Sequence, residues 1–308
     1  MGDDKRLWWR SAPAEPADSS ARRLVVVTDI DDSLLEPGAR ALPSERAALD
    51  FLSVRGVPLV INSSRTHAEI ERIQETLRLL TPSISEHGSA LFIPPGSFPS
   101  IPDRAARAVS GHVIEFGRPY HEVVDAVRAT GRELGMEIVG FADLTIEDAA
   151  RELGVTDVEA QLAKLREYTE LIRIVDETDA RRSHVFNALR RRGLRCWPTG
   201  RHHLVTATRD RAESLLTLKA LWRDAWGEPP CIVGFGNSED DVTWLRYADV
   251  AVIVQNDHSG VDPRILSKLP TARVSQRPGR LGWSDAIFES VSALLSAREQ
   301  AGTGNGPA

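Results

Sequence analysis

Two aspartates stand one residue apart, directly after a short β-branched run, where side chains can do chemistry. Asp29 and Asp31 follow residues 24–27 in the segment Val-Val-Val-Thr-Asp-Ile-Asp-Asp-Ser. An extended strand directs both carboxylates to one face, because side chains alternate along a strand. Two carboxylates held together repel each other and need a proton or a cation between them. A hard divalent cation with oxygen ligands meets that need, and magnesium is the expected ion.

With a cation present, the two carboxylates can share a hydrolytic reaction. One attacks phosphorus as a nucleophile, and the other protonates the leaving oxygen and then activates water. The alternative is an Asp-rich loop that only caps a helix, a role that Asp32 and Ser33 could fill. The short motif alone leaves both interpretations open.

A second polar loop, Ser63-Ser64-Arg65, follows the apolar run 58–62. A hydroxyl or a backbone N–H group at the end of a strand can donate to a phosphoryl oxygen. Ser63 or Ser64 could also be the N-cap of the next helix, and the two roles are compatible.

A third polar loop, Gly-Phe-Gly-Asn-Ser-Glu-Asp-Asp, ends at Asp241. Its glycines allow a tight turn, and Asn237, Asp240 and Asp241 could complete an oxygen cage for the metal. Alternatively, the two aspartates are first-turn helix carboxylates favoured by the helix dipole. Three polar loops after three buried strands are less easily explained by chance than any one of them.

The elements around these loops predict an α/β fold. Strands are predicted at 24–27, 58–62, 231–235 and 250–254, and helices at 44–55, 67–80 and 240–247. Short apolar runs suit buried parallel strands. Their alternation with helices predicts a doubly wound, Rossmann-like parallel sheet, in which ligands bind at the carboxyl ends of the strands.

The middle of the chain departs from this alternation after Pro94-Pro95-Gly96. Helices are predicted at 120–134, 145–152 and 158–167, and strands at 172–175 and 203–206. We therefore predict an inserted α+β cap domain, residues 90–200, between the core segments 23–89 and 201–298. Residues 1–22, which contain Trp8-Trp9, and residues 299–308 are predicted to be disordered tails.

Bulk properties narrow the function further. The chain has 308 residues, a formal net charge of -6 and two cysteines, Cys196 and Cys231. The acidic balance argues against a nucleic-acid partner, and the cysteines give no disulfide framework or zinc spacing. No apolar run reaches the roughly 18 residues of a membrane span. We expect a cytoplasmic protein, monomer or homodimer, with a small-molecule partner.

The three loops, in this order, resemble those of the haloacid dehalogenase superfamily of phosphohydrolases. Within it the chain is similar to the mannosyl-3-phosphoglycerate phosphatases, which are relatives of sucrose-phosphate phosphatase. The likeness covers roughly residues 23–295. It includes the segments 86–88, 140–145, 166–170, 200–203 and 282–283.

The resemblance implies a role for each loop. Asp29 would be the nucleophile that becomes an aspartyl phosphate, and Asp31 the general acid/base, which also gives a backbone carbonyl to magnesium. Ser63 would bind the phosphate. Arg211, in Asp-Arg-Ala-Glu where the family has Asp-Lys-Gly-Lys, would neutralise its charge.

The resemblance also implies a metal set and a substrate set. The metal residues would be Asp29, Asp31, Asn237, Asp240 and Asp241. The substrate-binding residues would be Ser64 and Arg65 together with the cap residues Arg166, Tyr168 and Arg201, which would face the sugar and glycerate parts.

The chain departs from the family pattern at four positions, of which three lie in the phosphate-binding and metal-binding segments and one in the predicted cap. Arginine replaces lysine at Arg211 and keeps the charge with a different geometry. Asn237 stands where aspartate is usual and Asp240 where asparagine is usual, so the pair is swapped. Leu171 replaces a proline after Glu170.

We expect a magnesium-dependent phosphatase acting on a sugar or glycoside phosphomonoester, with mannosyl- or glucosyl-3-phosphoglycerate as the leading substrate. The departures keep two alternatives open. One is a phosphatase for another sugar phosphate in a specialised glycoside or aminosugar pathway. The other is a catalytically weakened binder of a phosphorylated metabolite.

Overall fold

The computed structural model describes residues 24–34, 43–208, 210–257 and 259–303. The predicted tail 1–22, with Trp8 and Trp9, lies outside the described residues. Within the described residues, no helix is both long and apolar enough to cross a membrane.

Strands and helices alternate along most of the chain. The strands are β1 (Leu24–Thr28), β2 (Leu59–Asn62), β3 (Ser83–Ser85), β4 (Ala90–Ile93), β5 (Ala106–Ala108), β6 (Gly111–Glu115), β7 (Ile138–Gly140), β8 (Thr169–Ile174), β9 (Arg195–Thr199), β10 (His202–Thr206), β11 (Cys231–Gly236), β12 (Val250–Gln255) and β13 (Arg273–Pro278). The helices are α1 (Pro43–Val54), α2 (His67–Leu77), α3 (Tyr120–Leu134), α4 (Ile146–Leu153), α5 (Asp157–Ala163), α6 (Asp179–Arg191), α7 (Ala212–Trp226), α8 (Val242–Leu245), α9 (Pro263–Lys268) and α10 (Gly279–Thr303).

A large sheet forms the body of the molecule. In the described residues its strand order is β13-β12-β11-β1-β2-β3-β4-β6-β5. The pairs from β13 through β3 are parallel, and those among β3, β4, β6 and β5 are antiparallel. The predicted α/β class with a largely parallel sheet is confirmed.

The central strand β1 shows why the sequence folds this way. All five of its residues are buried, and they alternate between two cores. Leu24 and Val26 join a cluster with side chains of α1, α2 and α10, whereas Val25 and Val27 join a cluster with α7, α8 and α9. A parallel strand covered on both faces must be apolar along its length.

A smaller antiparallel sheet, in the order β7-β8-β10-β9, lies in the middle of the chain. We call the segment from α3 to β10 the cap. One face of its sheet packs on α3 and α6 through an apolar cluster that includes Val123, Ile172 and Val185. A second cluster joins α4 and α5 to Leu171 of β8.

Sheet membership places the ends of the cap differently from the prediction of 90–200. Strands β4, β5 and β6 extend the large sheet, and β10 belongs to the small one. The reason is that Pro94-Pro95-Gly96 lies in the connection from β4 to β5, which are both strands of the large sheet. The division into a core and a cap domain remains a prediction.

Two other predicted ranges change. The helix predicted at 158–167 ends at Ala163, and the strand predicted from 172 begins at Thr169. Between them the backbone turns toward the large sheet, where Glu86 accepts its N–H groups. The last helix runs to Thr303, so it extends past residue 299, where a tail was predicted.

Candidate active site

Asp29 lies at the carboxyl end of β1. The polar loops after β2 and β11 begin at the same edge of the sheet. The Asp29 backbone N–H donates to the Phe235 carbonyl at 2.9 Å, and 8% of the residue is exposed. Burial raises the pKa of the Asp29 carboxyl well above its usual value. Asp241 and Asp31 add to the rise, while the Ile30 N–H group and Arg211 oppose it. Asp29 therefore lies within electrostatic reach of three of the predicted site residues.

Asp31 forms a two-pronged ion pair with Arg65. The Nη2 atom of Arg65 lies 2.6 Å from Oδ1 of Asp31, and Nε lies 3.2 Å from both carboxylate oxygens. Arg65, which was predicted to bind substrate, is thus paired in this structure with Asp31, the predicted general acid/base. A planar fork on a carboxylate fixes the orientation of both groups.

Ser63 is buried directly after β2. Its N–H donates to the Ile84 carbonyl, and its Oγ accepts the Arg65 N–H at 3.3 Å. The N-cap of α2 is Thr66, which forms a capping box with Glu69. The alternative that Ser63 or Ser64 caps this helix is therefore wrong, and Ser64 is a half-buried link between the strand and the cap residue.

Asp241 closes the loop after β11 from the inside, and only 3% of it is exposed. Its Oδ2 accepts the N–H groups of Asn237 and Ser238 and the Ser238 hydroxyl, at 3.1, 3.0 and 2.7 Å. Its Oδ1 accepts the Trp244 indole N–H. A Cβ at Gly236 would lie 2.7 Å from the Asp241 Cβ, so glycine is required there.

Asn237 joins this loop to the first one. Its Nδ2 donates to the backbone carbonyl of Asp31 at 2.7 Å. That carbonyl is the one assigned to magnesium by the resemblance. The amide therefore fixes the position of the Asp31 main chain.

The Asp240 carboxylate lies between Arg211 and the cap, and its Oδ1 is 3.7 Å from Nη1 of Arg211. Its Oδ2 accepts the indole N–H of Trp197, on β9, at 3.4 Å, and its side chain is 37% exposed. Its backbone carbonyl accepts Nη1 of Arg211 at 2.7 Å. The structure thus brings Asp29, Asp31, Asn237 and Asp241 together, and it places the Asp240 carboxylate between Arg211 and Trp197 of the cap.

Arg211 is a buried cation beside these carboxylates. Burial lowers the pKa of its guanidinium, and Asp240, Asp241 and Asp29 partly offset that effect. Its Nε has no hydrogen-bond partner within the described residues. A buried, unpaired N–H on a cation is costly unless an anion binds it. Gly88, with φ +82, permits this position, because a Cβ there would lie 2.6 Å from the Arg211 carbonyl oxygen.

The oxygen donors near Asp29 fit magnesium. In the described part of the chain, no three His, Cys, Asp or Glu side chains form a ready metal cluster. Magnesium does not require one, because it keeps several waters and usually takes one or two protein carboxylates. The Asp29 carboxylate, whose pKa is raised by burial and by Asp241 and Asp31, is in the electrostatic situation that a cation relieves.

Two of the three cap residues predicted to bind substrate form hydrogen bonds with residues outside the aspartate loops. Arg166 is buried and donates to the Thr169 hydroxyl and carbonyl. The Tyr168 hydroxyl donates to Glu115 of β6 at 2.8 Å. Arg201 is exposed at the turn between β9 and β10. None of these three has a hydrogen bond to the aspartate loops among the described residues.

Three residues that sequence reasoning did not single out hold the cap against the core. Glu86 binds the cap backbone, His87 lies edge-on to Trp197 with ring centroids 5.8 Å apart, and Trp197 reaches Asp240. The segment 86–88 was visible only as part of the resemblance. Its backbone has three successive positive φ values, 46°, 59° and 82°, which the sequence does not predict at Glu86 or His87.

Comparisons with known proteins find similar sequences along most of the chain. The model of a family described as haloacid dehalogenase-like hydrolase matches residues 26–95 of this chain. A glucosyl-3-phosphoglycerate/mannosyl-3-phosphoglycerate phosphatase of Methanococcoides burtonii is 30% identical over 268 residues, covering 87% of this chain and 97% of the relative. A phosphatase of the same name from Persephonella marina is 28% identical, with 88% and 98% covered.

Solved structures show the same fold. A haloacid dehalogenase-like hydrolase from Bacteroides thetaiotaomicron aligns with a TM-score of 0.61 at 16% identity, covering 86% of this chain and 98% of that one. A subclass IIB sugar phosphatase of the same superfamily aligns with a TM-score of 0.58 at 14% identity, covering 87% and 98%.

Proposed function

The chain belongs to the haloacid dehalogenase-like hydrolases and is a phosphoric monoester hydrolase, and on this premise we propose that it hydrolyses glucosyl- or mannosyl-3-phosphoglycerate. The reaction depends on magnesium and passes through a phosphoryl group covalently held on Asp29. The substrate class comes from the names of two relatives that align along nearly their whole length.

One observation carries the proposal. Asp29 is buried at the end of β1. The carboxylates of Asp241 and Asp31 raise its pKa, and the guanidinium of Arg211 lowers it. The unpartnered Nε of Arg211 offers a donor to a phosphoryl oxygen next to the attacking carboxylate. Preorganised donors of this kind stabilise the charge on a transferring phosphoryl group.

The reaction divides between Asp29 and Asp31. An Asp29 oxygen bonds to phosphorus, the bond from phosphorus to the leaving oxygen breaks, and that oxygen takes a proton from Asp31. Asp31 then takes a proton from water, whose oxygen bonds to phosphorus as the bond to Asp29 breaks. Inorganic phosphate and free Asp29 result.

Arg65 has a positioning role in this scheme. In the present state it pairs with the Asp31 carboxylate. Asp31 must carry a proton before it can protonate the leaving group. The substrate phosphoryl group gives Arg65 another anion to bind, which releases Asp31 for that proton.

The chain's own residues supply the metal site. The Asp29 carboxylate, the Asp31 backbone carbonyl and the Asp241 carboxylate would hold magnesium, with Asn237 fixing the carbonyl. Bound magnesium neutralises negative charge on the attacking carboxylate and on the phosphoryl oxygens. Asp240 is left out of this set, because its carboxylate faces Trp197.

A binder of a phosphorylated metabolite is the second candidate. It is favoured by Asn237, which replaces a charged side chain and donates to Asp31 instead of offering a carboxylate. Phosphate release with magnesium, measured for wild type and Asp29→Asn across a panel of sugar phosphates, separates the two. Equal rates for both proteins contradict the mechanism, and tight binding without turnover supports the binder.

The same panel tests the substrate class. A phosphatase for another sugar phosphate in a glycoside or aminosugar pathway is favoured by Leu171, which stands where the family has proline. The highest kcat/KM on glucosyl- or mannosyl-3-phosphoglycerate supports our proposal. A higher value on another sugar phosphate supports that alternative.

A further inference from the structure

Strand β9 is the edge strand of the cap sheet, and its residues alternate between two faces. Cys196 packs on the apolar cluster under α3 and α6. Arg195 and Trp197 point to the opposite face, because side chains alternate along a strand. On β10, Thr206 and Leu204 stand directly opposite them, so the four residues share that face.

Helices α4 and α5 cover part of this face. Leu171 of β8 packs in their apolar cluster, and His202 of β10 bonds to Glu152 of α4 at 2.7 Å. Trp197 is only half-buried and Arg195 is exposed. Helices α4 and α5 therefore leave this edge of the cap sheet only partly covered.

Trp197 contacts the core next to the phosphate-binding cation. Its indole N–H donates to Asp240 Oδ2 at 3.4 Å, and its ring lies edge-on to His87, with an interplanar angle of 86°. The backbone carbonyl of the same Asp240 accepts Arg211. One residue thus separates the Trp197 ring from the guanidinium beside Asp29.

Arg195 adds a second positive charge at this place. Its guanidinium carbon lies 5.6 Å from the centre of the Trp197 ring. Arg195 also contributes, after burial, to the lowered pKa of Arg211. The guanidiniums of Arg195 and Arg211 thus both lie close to the pair formed by Trp197 and Asp240, whose Oδ1 is 3.7 Å from Nη1 of Arg211.

We propose that Arg195 and Trp197 determine which leaving group the enzyme accepts. The Trp197 ring packs against the apolar face of a pyranose, and Arg195 pairs with a carboxylate on the same leaving group. A flat aromatic ring suits the C–H face of a sugar, and a guanidinium fork suits a carboxylate. This inference rests on the proposed function, whose substrates carry both a hexose and a glycerate carboxylate.

Substrates that lack one part each test the two residues separately. The set is glucosyl-3-phosphoglycerate, 3-phosphoglycerate without the sugar, glucose 6-phosphate without the carboxylate, and p-nitrophenyl phosphate without either. The variants are Trp197→Ala, Trp197→Phe, Arg195→Gln and Arg195→Lys. Arg190→Gln, an exposed arginine on α6, is the matched control for loss of a charge.

Each residue has its own expected signature. Trp197→Ala raises the KM for glucosyl-3-phosphoglycerate about tenfold or more beyond any change for 3-phosphoglycerate, because only the first substrate carries the hexose. Trp197→Phe keeps the ring and most of the preference. Arg195→Gln raises the KM about tenfold for the two carboxylate substrates only, and Arg195→Lys recovers part of it.

The outcomes separate this inference from the proposed function. Equal losses on all four substrates for both Trp197→Ala and Arg195→Gln overturn the inference, since they indicate a structural role. Unchanged kinetics in both variants overturn it as well. The proposed function fails instead if wild type hydrolyses glucosyl-3-phosphoglycerate no better than p-nitrophenyl phosphate, and that result overturns both.

Discussion

The carboxylate of Glu86, in the turn between β3 and β4, accepts two hydrogen bonds from Thr169, the first residue of β8 in the cap. The hydroxyl of Thr169 lies 2.6 Å and its N–H nitrogen 2.8 Å from Oε2 of Glu86. The N–H groups of Glu167 and Tyr168 bind the same carboxylate. Glu86 is fully buried, and Arg166 lies 4.0 Å from it. A buried anion of the core therefore binds three successive residues of the cap backbone.

Glu86→Gln should destabilise the protein by about 2–4 kcal/mol, because an amide NH2 then faces backbone N–H groups, which can only donate, and Arg166 loses its counter-charge. Urea unfolding at neutral pH measures the change. Glu115→Gln is the matched control, because that side chain accepts a hydrogen bond from the Tyr168 hydroxyl at a less buried place. We expect it to cost about 1 kcal/mol or less. Equal costs for the two variants would contradict this role for Glu86.

Gly88→Ala should lower kcat/KM at least about tenfold, since a 1 Å displacement of a catalytic group can cost a hundredfold. The added Cβ would lie 2.6 Å from the Arg211 carbonyl oxygen and 2.9 Å from its Cα. Gly96→Ala is the control. It has a similar φ of +79° and no atom within 4 Å, so it carries only the backbone strain, about 1 kcal/mol. Phosphate release by both variants is measured, and equal activities would contradict the role given to Arg211.

The raised pKa of Asp29 predicts a stability cost in the metal-free protein. The folded state binds this proton more tightly than the unfolded state, so stability falls as the pH rises from the ordinary aspartate pKa, about 4, to the raised value. Asp29→Asn removes the charge. We expect the variant to be more stable than wild type at neutral pH without magnesium, and the difference to vanish below about pH 4. Urea unfolding at several pH values is the measurement, and a pH-independent difference would contradict it.

Asp240 and Asp241 should differ in their effect on magnesium binding. Asp241→Asn should weaken magnesium binding about tenfold or more, because the ion loses one of its few carboxylates. Asp240→Asn should leave the affinity within about twofold, because its carboxylate faces Trp197 and acts on the ion only from outside the ligand set. Calorimetric titration with magnesium, in the absence of substrate, compares the two. A larger loss of magnesium affinity for Asp240→Asn than for Asp241→Asn would indicate that Asp240 is a ligand of the ion.

Much of the core could be predicted from the sequence. The buried runs before Asp29, Ser63 and Asn237 are short and apolar, as parallel strands covered on both faces must be. Polar residues placed at their carboxyl ends then had to meet at one edge of the sheet. The structure brings Asp29, Asp31 and Asp241 together for that reason.

The cap side of the site could not be predicted in the same way. The direction of the Asp240 carboxylate depends on Trp197, which is 43 residues away and on another sheet. Tyr168 lies in a segment that carries the family resemblance, but its hydroxyl donates a hydrogen bond to Glu115. The end of α5 depends on Glu86, which takes up the following N–H groups. Such contacts are tertiary, and local periodicity carries no signal for them.

The covalent role of Asp29 can be measured by rapid quenching of the reaction with magnesium and substrate labelled in the phosphoryl group. We predict that acid quenching within the first turnover traps the label on the peptide that contains Asp29, and that Asp29→Asn traps none and releases no phosphate above background. Wild-type turnover with no protein-bound label at any quench time, together with phosphate release by Asp29→Asn at the wild-type rate, would contradict a phosphoryl transfer through this residue.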